Sequence, residues 1–343
     1  MAGAMTSAAP AATGPSARPH STGRYVGLRL LQMVPTLLLI LVTAFLLLKL
    51  APGDAAQVLA GDSGGGDAAY IATLRQRFGL DQPIAIQLLL YARNVLTGEL
   101  GFSFRNNMPV AELIAARVVP TLLLTGLALL VAVLLGVAGG VTAALTRGRL
   151  ADRLIGAIAL LLYATPGFLL GIGLMILFGV VLLWLPTGGY ADANGAAEGW
   201  AHAGSVARHL VLPVVTLGML YAAIYSRFTR SAMIEIYAQD YIRTARAKGL
   251  APARIAWRHG VRNALLPLVT IIGLQAGSLL SGAIVVETVF AWPGLGRLAF
   301  EAVQQRDYNL LSGLVLCTGA LVVITNLIVD LLYATLDPRV RLR

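Results

Sequence analysis

Six stretches of this chain, 30–50, 119–145, 154–185, 206–225, 268–286 and 308–332, are long and apolar enough to cross a lipid bilayer. A helix needs about 20 apolar residues to span the hydrocarbon core. There every backbone polar group must be satisfied inside the protein, which favours helices. Composition points the same way: 57% of the 343 residues are hydrophobic and 12% are charged, against about 25% charged in soluble domains. The sequence therefore reads as an all-α membrane protein with six transmembrane helices. Pro166-Gly167 interrupts the third stretch and predicts a kink there. The pairs Gly136/Gly140, Gly167/Gly171 and Gly273/Gly277 predict close approach of helix backbones.

The net charge of +10 has to be read by location. The basic residues lie between apolar spans, which makes nucleic-acid binding a poor reading. Seventeen Lys and Arg residues fall on one side of the spans and eight on the other, five of those in one long loop; Lys49, at a span end, is expected to snorkel to the outer interface. The positive-inside rule then puts both termini in the cytoplasm. Residues 1–23, rich in Ala, Ser, Thr, Gly and Pro, read as a disordered cytoplasmic tail. The rest, 24–343, reads as one transmembrane domain. Its loop 51–118 carries helix signals: Asp67 as an N-cap with Gly79 past the end, Pro83 opening a helix that stops at Gly98, and Pro109 opening one that enters the second span. A folded external loop is expected there.

One polar island stands out inside this apolar chain: DYIRTARAKGLAPARIAWRHGVRNALLP at 240–267, within a cytoplasmic loop spanning 226–267. Asp240 can cap a short helix from Tyr241, and Gly249 can end it in the left-handed conformation. Pro252 suits the first turn of a second helix, expected to run until Pro267 opens the fifth span. Thr244, Ala245, Ala247 and Gly249 are small, so the first helix is thin enough to sit in a groove on another protein. Arg243, Arg246 and Lys248 can then meet acids at the rim. Charge alone leaves a second reading, a basic loop drawn to anionic lipid headgroups. The paired helix signals and the small residues favour docking.

Other chemistries leave no trace. No G-x-x-x-x-G-K-[ST] occurs, so no nucleotide-phosphate cradle of that kind. His20, His202, His209 and His259 form no i, i+4 pair and no H-E-x-x-H, and Ser103 sits in G-F-S-F rather than G-x-S-x-G. Cys317 is alone in an apolar run. Of the acids near span ends, Asp330 is expected to pair with a terminal Arg and Glu287 to be solvated at the outer end of the fifth span. No acid marks the midplane, as a proton- or sodium-driven carrier would need, so the work should come from another chain. The rival readings are a self-sufficient secondary transporter or channel, and an intramembrane enzyme, which needs a buried nucleophile–base pair or metal cluster.

Several segments carry a family resemblance. The island form D-Y-x-R-T-A-R-A-K-G at 240–249 resembles the coupling loop of bacterial ABC importer permeases of the dipeptide, oligopeptide and nickel class, with Arg243 standing where the general pattern has Glu. Ala51-Pro52-Gly53-Asp54, FGLDQP at 78–83, GELGFS at 98–103, RNALLP at 262–267 and FAWPGLG at 290–296 resemble the B-type subunit of that class. The resemblance implies a type I, MetI-like permease bundle in the bacterial inner membrane. It implies a second, C-type permease subunit, two cytoplasmic ATP-binding subunits and an external solute-binding protein, with ATP and Mg held on the ATPases and no cofactor on this chain. By the same resemblance Asp240, Arg243, Thr244, Ala245, Arg246, Ala247, Lys248 and Gly249 form the ATPase-coupling element. The solute, whether dipeptide, oligopeptide, nickel complex or glutathione, is not specified by these motifs.

Overall fold

Helices α1 (Thr22–Leu50) and α2 (Ile84–Leu96) come first, followed by a short hairpin, β1 (Phe102–Ser103) with β2 (Met108–Pro109). Then follow α3 (Val110–Leu145), α4 (Leu150–Ala164) and α5 (Gly167–Leu174), the last continued by a π-helical segment, Met175–Val181. Next are α6 (Trp200–Tyr237), α7 (Asp240–Ala247) and α8 (Pro252–Arg254). The π-helical segment Ile255–Val261 joins α8 to α9 (Arg262–Val289), and α10 (Leu295–Gln305) and α11 (Tyr308–Leu336) complete the chain. These elements belong to a computed structural model that describes residues 22–50, 81–192 and 199–336. The expected N-terminal tail and the expected helix from Asp67 to Gly79 lie outside the described residues.

Four helices, Arg29–Leu50, Val110–Leu145, Trp200–Tyr237 and Tyr308–Leu331, are each long and apolar enough to cross a membrane unbroken. The other two expected spans are broken ones. α4 and the α5 segment meet at a bend of 108°, a sharper break than a kink. Thr165 before the proline is extended, with φ −81 and ψ 126, because the pyrrolidine ring drives the preceding residue out of the helical region. α9 bends by 54° between Gln275 and Gly277. Pro267 lies inside α9 and does not start it. The helix begun at Pro252 instead runs on through the π-helical segment into the span. In membrane helices such a proline is tolerated where neighbours satisfy the freed backbone group.

Burial orders the bundle from inside to outside. The most apolar window of α6 is 67% buried, that of α3 is 33%, and those of α1 and α11 are 11%. α6 is therefore the central post and α1 with α11 the flank. Leu31 and Leu39 on that flank are 66% and 67% exposed, as side chains facing lipid would be. Small residues make the inner contacts. A Cβ on Gly136 would come within 2.6 Å of Tyr225 Cβ, and one on Gly140 within 2.5 Å of Thr229 Cβ, so α3 and α6 meet backbone to backbone. Gly171 faces Phe290 and Thr216, while Gly273 and Gly277 face Val329 and Val322 of α11. All three glycine pairs thus touch neighbouring helices, although Gly167 of the middle pair meets only Leu220.

At one end of the bundle lie the arginine-rich connections 147–153 and 227–262; we call it the basic end. At the opposite end the hairpin is fixed by Ser103 Oγ, fully buried, donating to the Asp307 carboxylate. Asn309 Nδ2 donates to Phe102 O at 3.1 Å. Pro83 and Pro109 occupy the N-cap positions of α2 and α3, and Gly98 follows α2 with φ +81. These are the boundaries the sequence predicts.

Candidate functional site

α7 is an eight-residue helix at the basic end. Its ends are made locally. Gln239, extended at φ −74 and ψ 148, holds the N-cap position, and Asp240 is the first helical residue and not the cap. The Asp240 carboxylate lies in the first turn, where negative charge suits the helix dipole. It sits 3.6 Å from Arg243, but both side chains are largely exposed, and such pairs contribute only about 0–1 kcal/mol. Gly249 adopts φ +74, left-handed backbone that favours glycine. Its N–H donates to Arg246 O at 2.9 Å, and Lys248 N–H donates to Thr244 O at 3.0 Å.

The helix has two different faces. Ile242 is wholly buried and Ala245 is 6% exposed; both pack on Ile255, with Ile236, Tyr237 and Leu250 around them. Positions three apart share a helix face, so this pair is the mounting surface. Asp240, Arg243, Thr244, Arg246, Ala247, Lys248 and Gly249 are all exposed. Of the eight expected coupling residues, seven are therefore presented outward. Ala245 is the eighth, and it is buried against its own chain, where it helps hold α7 in place. Small size at 245 serves the mount, which the sequence pattern cannot distinguish from a thin outer face.

Tyr241 belongs to the outward surface too and was missed. It is 43% exposed, and its hydroxyl accepts from Asn263 Nδ2 at 3.2 Å. The same amide nitrogen donates to His259 O at 2.8 Å. Its spacing from Thr244 and Lys248, three and seven residues, is the helical signal that could have placed it there. On the other flank the Arg246 guanidinium lies 5.4 Å from the Tyr237 ring centre, a cation–π contact. α7 is thus tied to the end of α6 and to the start of α9. A Cβ on Gly260 would come 2.8 Å from Met233 Cε, so the π-helical segment before α9 presses directly on α6. Nearby, Asp152 of α4 accepts from Arg230 Nε at 2.7 Å and Nη2 at 2.9 Å, and from Gly148 N–H at 2.9 Å. This bidentate pair joins α4 to α6 just below the mount. Asp330 pairs with Arg29 at 3.1 Å, joining α11 to α1.

At the opposite end of α9 the expectation of a solvated Glu287 is overturned. Glu287 has no exposed surface. Its carboxylate accepts from Thr121 Oγ1 at 2.7 Å and from the Arg297 N–H at 3.0 Å. Thr121 Oγ1 in turn accepts from Leu295 N–H at 2.8 Å. Trp292, also fully buried, donates its indole N–H to Pro120 O at 3.0 Å. The turn between α9 and α10 is folded around the carboxylate so closely that a Cβ on Gly294 would collide with it. Position alone suggested solvent; the glycines at 294 and 296 are the signal that something must fit beneath that turn.

Between these two ends, α4, α5, α6 and α9 enclose an open cavity of about 470 Å3. The bundle of four unbroken and two bent apolar spans thus carries a short exposed helix on a buried mount. Comparison decides the family. Residues 136–342 match the family described as "Binding-protein-dependent transport system inner membrane component", and residues 23–125 match its N-terminal companion. The chain belongs to this family.

It is the inner-membrane permease of an ABC importer, a multi-pass protein whose partners include an ATPase and a solute-binding protein. Curated relatives agree. The glutathione transport system permease protein GsiC of Salmonella paratyphi A is 45% identical over 317 residues, covering 92% of this chain and 98% of the relative. GsiC of Escherichia coli K12 is 43% identical over the same length. Among solved structures, the inward-facing MetNI methionine ABC transporter superposes with a TM-score of 0.53 at 19% identity, covering 66% of this chain and 96% of that one. At that identity the likeness establishes the fold, a MetI-like bundle.

Proposed function

We propose that this permease forms half of the passage for short peptides or peptide-like solutes, glutathione among them. The passage would be completed by a second, C-type permease, with two ATPases below and a solute-binding protein outside. The substrate class is supported by 43–45% identity to permeases named for glutathione transport. The basic end faces the cytoplasm in this reading, as the excess of Lys and Arg there favours. ATP and Mg bind the partner subunits. This chain performs no chemical step; it converts movement of the ATPases into movement of its spans.

The observation that carries this reading is the two-faced α7. Arg243, Thr244, Ala247 and Lys248 project from a helix whose other face is locked by Ile242 and Ala245. A helix displayed in that way can be gripped without unfolding. Because α7 is joined to both α6 and α9, a push on it is passed to both spans. Closure of the ATPases would thus rock the bundle from inward-open to outward-open, and the binding protein would release solute into the cavity.

The test is reconstitution. Proteoliposomes holding this chain alone should leave a glutathione gradient untouched. Adding the second permease, the ATPases, the binding protein and ATP should produce uptake, and the same subunits should copurify in mild detergent. Selective transport by the chain alone would overturn the reading in favour of a self-sufficient carrier.

A further inference from the structure

At the basic end, beside the mount of α7, lies a second open cavity, of about 350 Å3. Sites for small ligands run from about 300 to 1,000 Å3. Leu145 and Arg147 line it from the end of α3, Ile234 and Tyr237 from the end of α6, and Arg246 from α7. Alanines and Met233 complete the wall, and no acid is part of it. The cavity lies where two unbroken spans end, α3 at Leu145 and α6 at Tyr237, which puts it at the membrane surface.

Its two guanidinium groups are not neutralised by the protein. Arg230 and Arg297 each have a carboxylate within 2.8 Å, and Arg29 has one at 3.1 Å. Arg147 and Arg246 make no ion pair among the described residues. Asp152 of α4 is already bonded to Arg230 and to the Gly148 N–H. The Arg246 guanidinium rests on the Tyr237 ring at 5.4 Å, a contact that holds it at the cavity without using its N–H donors. The cavity also continues an apolar surface. Leu127, Leu130, Leu134, Ala138, Thr142 and Leu145 are all exposed. Their steps of three and four residues place them on one side of α3. Thr142 turns its hydroxyl back on its own helix, donating to Ala138 O at 2.7 Å. A face suited to hydrocarbon thus runs along α3 and ends at two unpaired cations.

We propose that this cavity is a binding site for an anionic phospholipid, its phosphate held between Arg147 and Arg246 and its acyl chains laid along the exposed face of α3. Guanidinium forks match phosphate oxygens two at a time, and basic pockets between membrane helices take anionic headgroups. A soluble phosphate would bring the charge but nothing to cover Leu145, Leu134 and Leu130. A zwitterionic lipid would bring a cation of its own to a wall that already holds two. Seated there, the lipid joins the end of α3 to α7. It gives Arg246 a task apart from Arg243 and Lys248, whose side chains project away from the mount.

The experiment is native mass spectrometry of the complete transporter, taken from vesicles of equal phosphatidylglycerol and phosphatidylcholine into mild detergent. Wild type should retain phosphatidylglycerol in preference to phosphatidylcholine. Arg147→Gln and Arg246→Gln, each alone, should weaken that retention about tenfold, the loss of one charge-assisted hydrogen bond. Arg147→Lys, which keeps the charge, should retain more of the lipid than Arg147→Gln. Arg149→Gln with Arg153→Gln removes two charges from the same end but outside the cavity, and should retain it as wild type does. Equal retention of the two lipids, or indifference to either cavity substitution, overturns the proposal. So does an equal loss in the Arg149 and Arg153 variant, which would mean diffuse attraction to a basic surface. Inorganic phosphate added at the concentration of the lipid should displace nothing; displacement would make this a site for soluble anions and not for lipid. No solute is present, so the outcome does not depend on which cargo the transporter carries.

Discussion

At one end of α9 the Glu287 carboxylate is closed in between Thr121 and the backbone of α10, and Trp292 is bonded to the carbonyl of Pro120. At the other end the same polypeptide carries α7, where two buried side chains face inward and every charged group faces water. The Glu287 end spends its polar groups on its own fold, with Thr121, Arg297 N–H and Trp292 each answered by a buried acceptor. α7 at the basic end keeps its charged groups at the surface, held by exposed contacts such as Asp240 with Arg243. Substitution at the first end should therefore unmake the molecule, and at the second should leave the molecule intact but idle. α9 is thus joined to α3 at one end and to α7, through Asn263 and Ile255, at the other.

The contrast can be broken from the Glu287 end first. Glu287→Ala leaves the Thr121 hydroxyl and the Arg297 N–H without their acceptor, at about 1–3 kcal/mol for each buried group. Thermal unfolding in detergent should show a large fall in Tm and a loss of monodisperse protein. A wild-type Tm would mean that the lock holds nothing. Ile242→Ala empties the buried side of the lever. Truncations of this size cost about 2–5 kcal/mol in a packed core, and the loss here is confined to α7 and its seat. Hydrogen exchange should rise at 240–250 more than in α3 or α6, and uptake should fall with it. Asp152→Ala releases Arg230 from its bidentate partner and loosens α4 from α6; its effect on Tm should be smaller than that of Glu287→Ala, because the pair lies at a bundle end. Reversing Arg243 and Lys248 to Glu together should move Tm least, within about 0.5 kcal/mol of wild type, because neither side chain is buried.

How far these ends were legible in the sequence follows from the same contrast. The caps of α2 and α3, the end of α7 at Gly249 and the start at Pro252 depend on backbone preferences of Gly and Pro, which act locally and can be read locally. The six spans and the glycine contacts depend on pattern along one helix, and they too were legible. Glu287 was misread because its partners come from α3 and α10, more than 160 residues away in the case of Thr121; no local rule brings them together. The burial of Ala245 was not legible because size says nothing about direction until Ile255 and Tyr237 are in place around it. Pro267 was taken as a helix start, the usual role in water, whereas here it lies inside a span. Asp240 lost the cap to Gln239 by one residue, a shift that leaves its charge in the first turn where it still favours the helix.

Energised uptake by the complete transporter carrying Arg243→Glu and Lys248→Glu tests the lever most directly, measured in proteoliposomes beside the Tm of the purified variant. The account predicts uptake reduced at least about tenfold, the result of losing roughly 1.4 kcal/mol of coupling contact, with Tm unchanged. Uptake at the wild-type rate would contradict it, because the exposed cations of α7 would then have no part in transmitting the work of ATP.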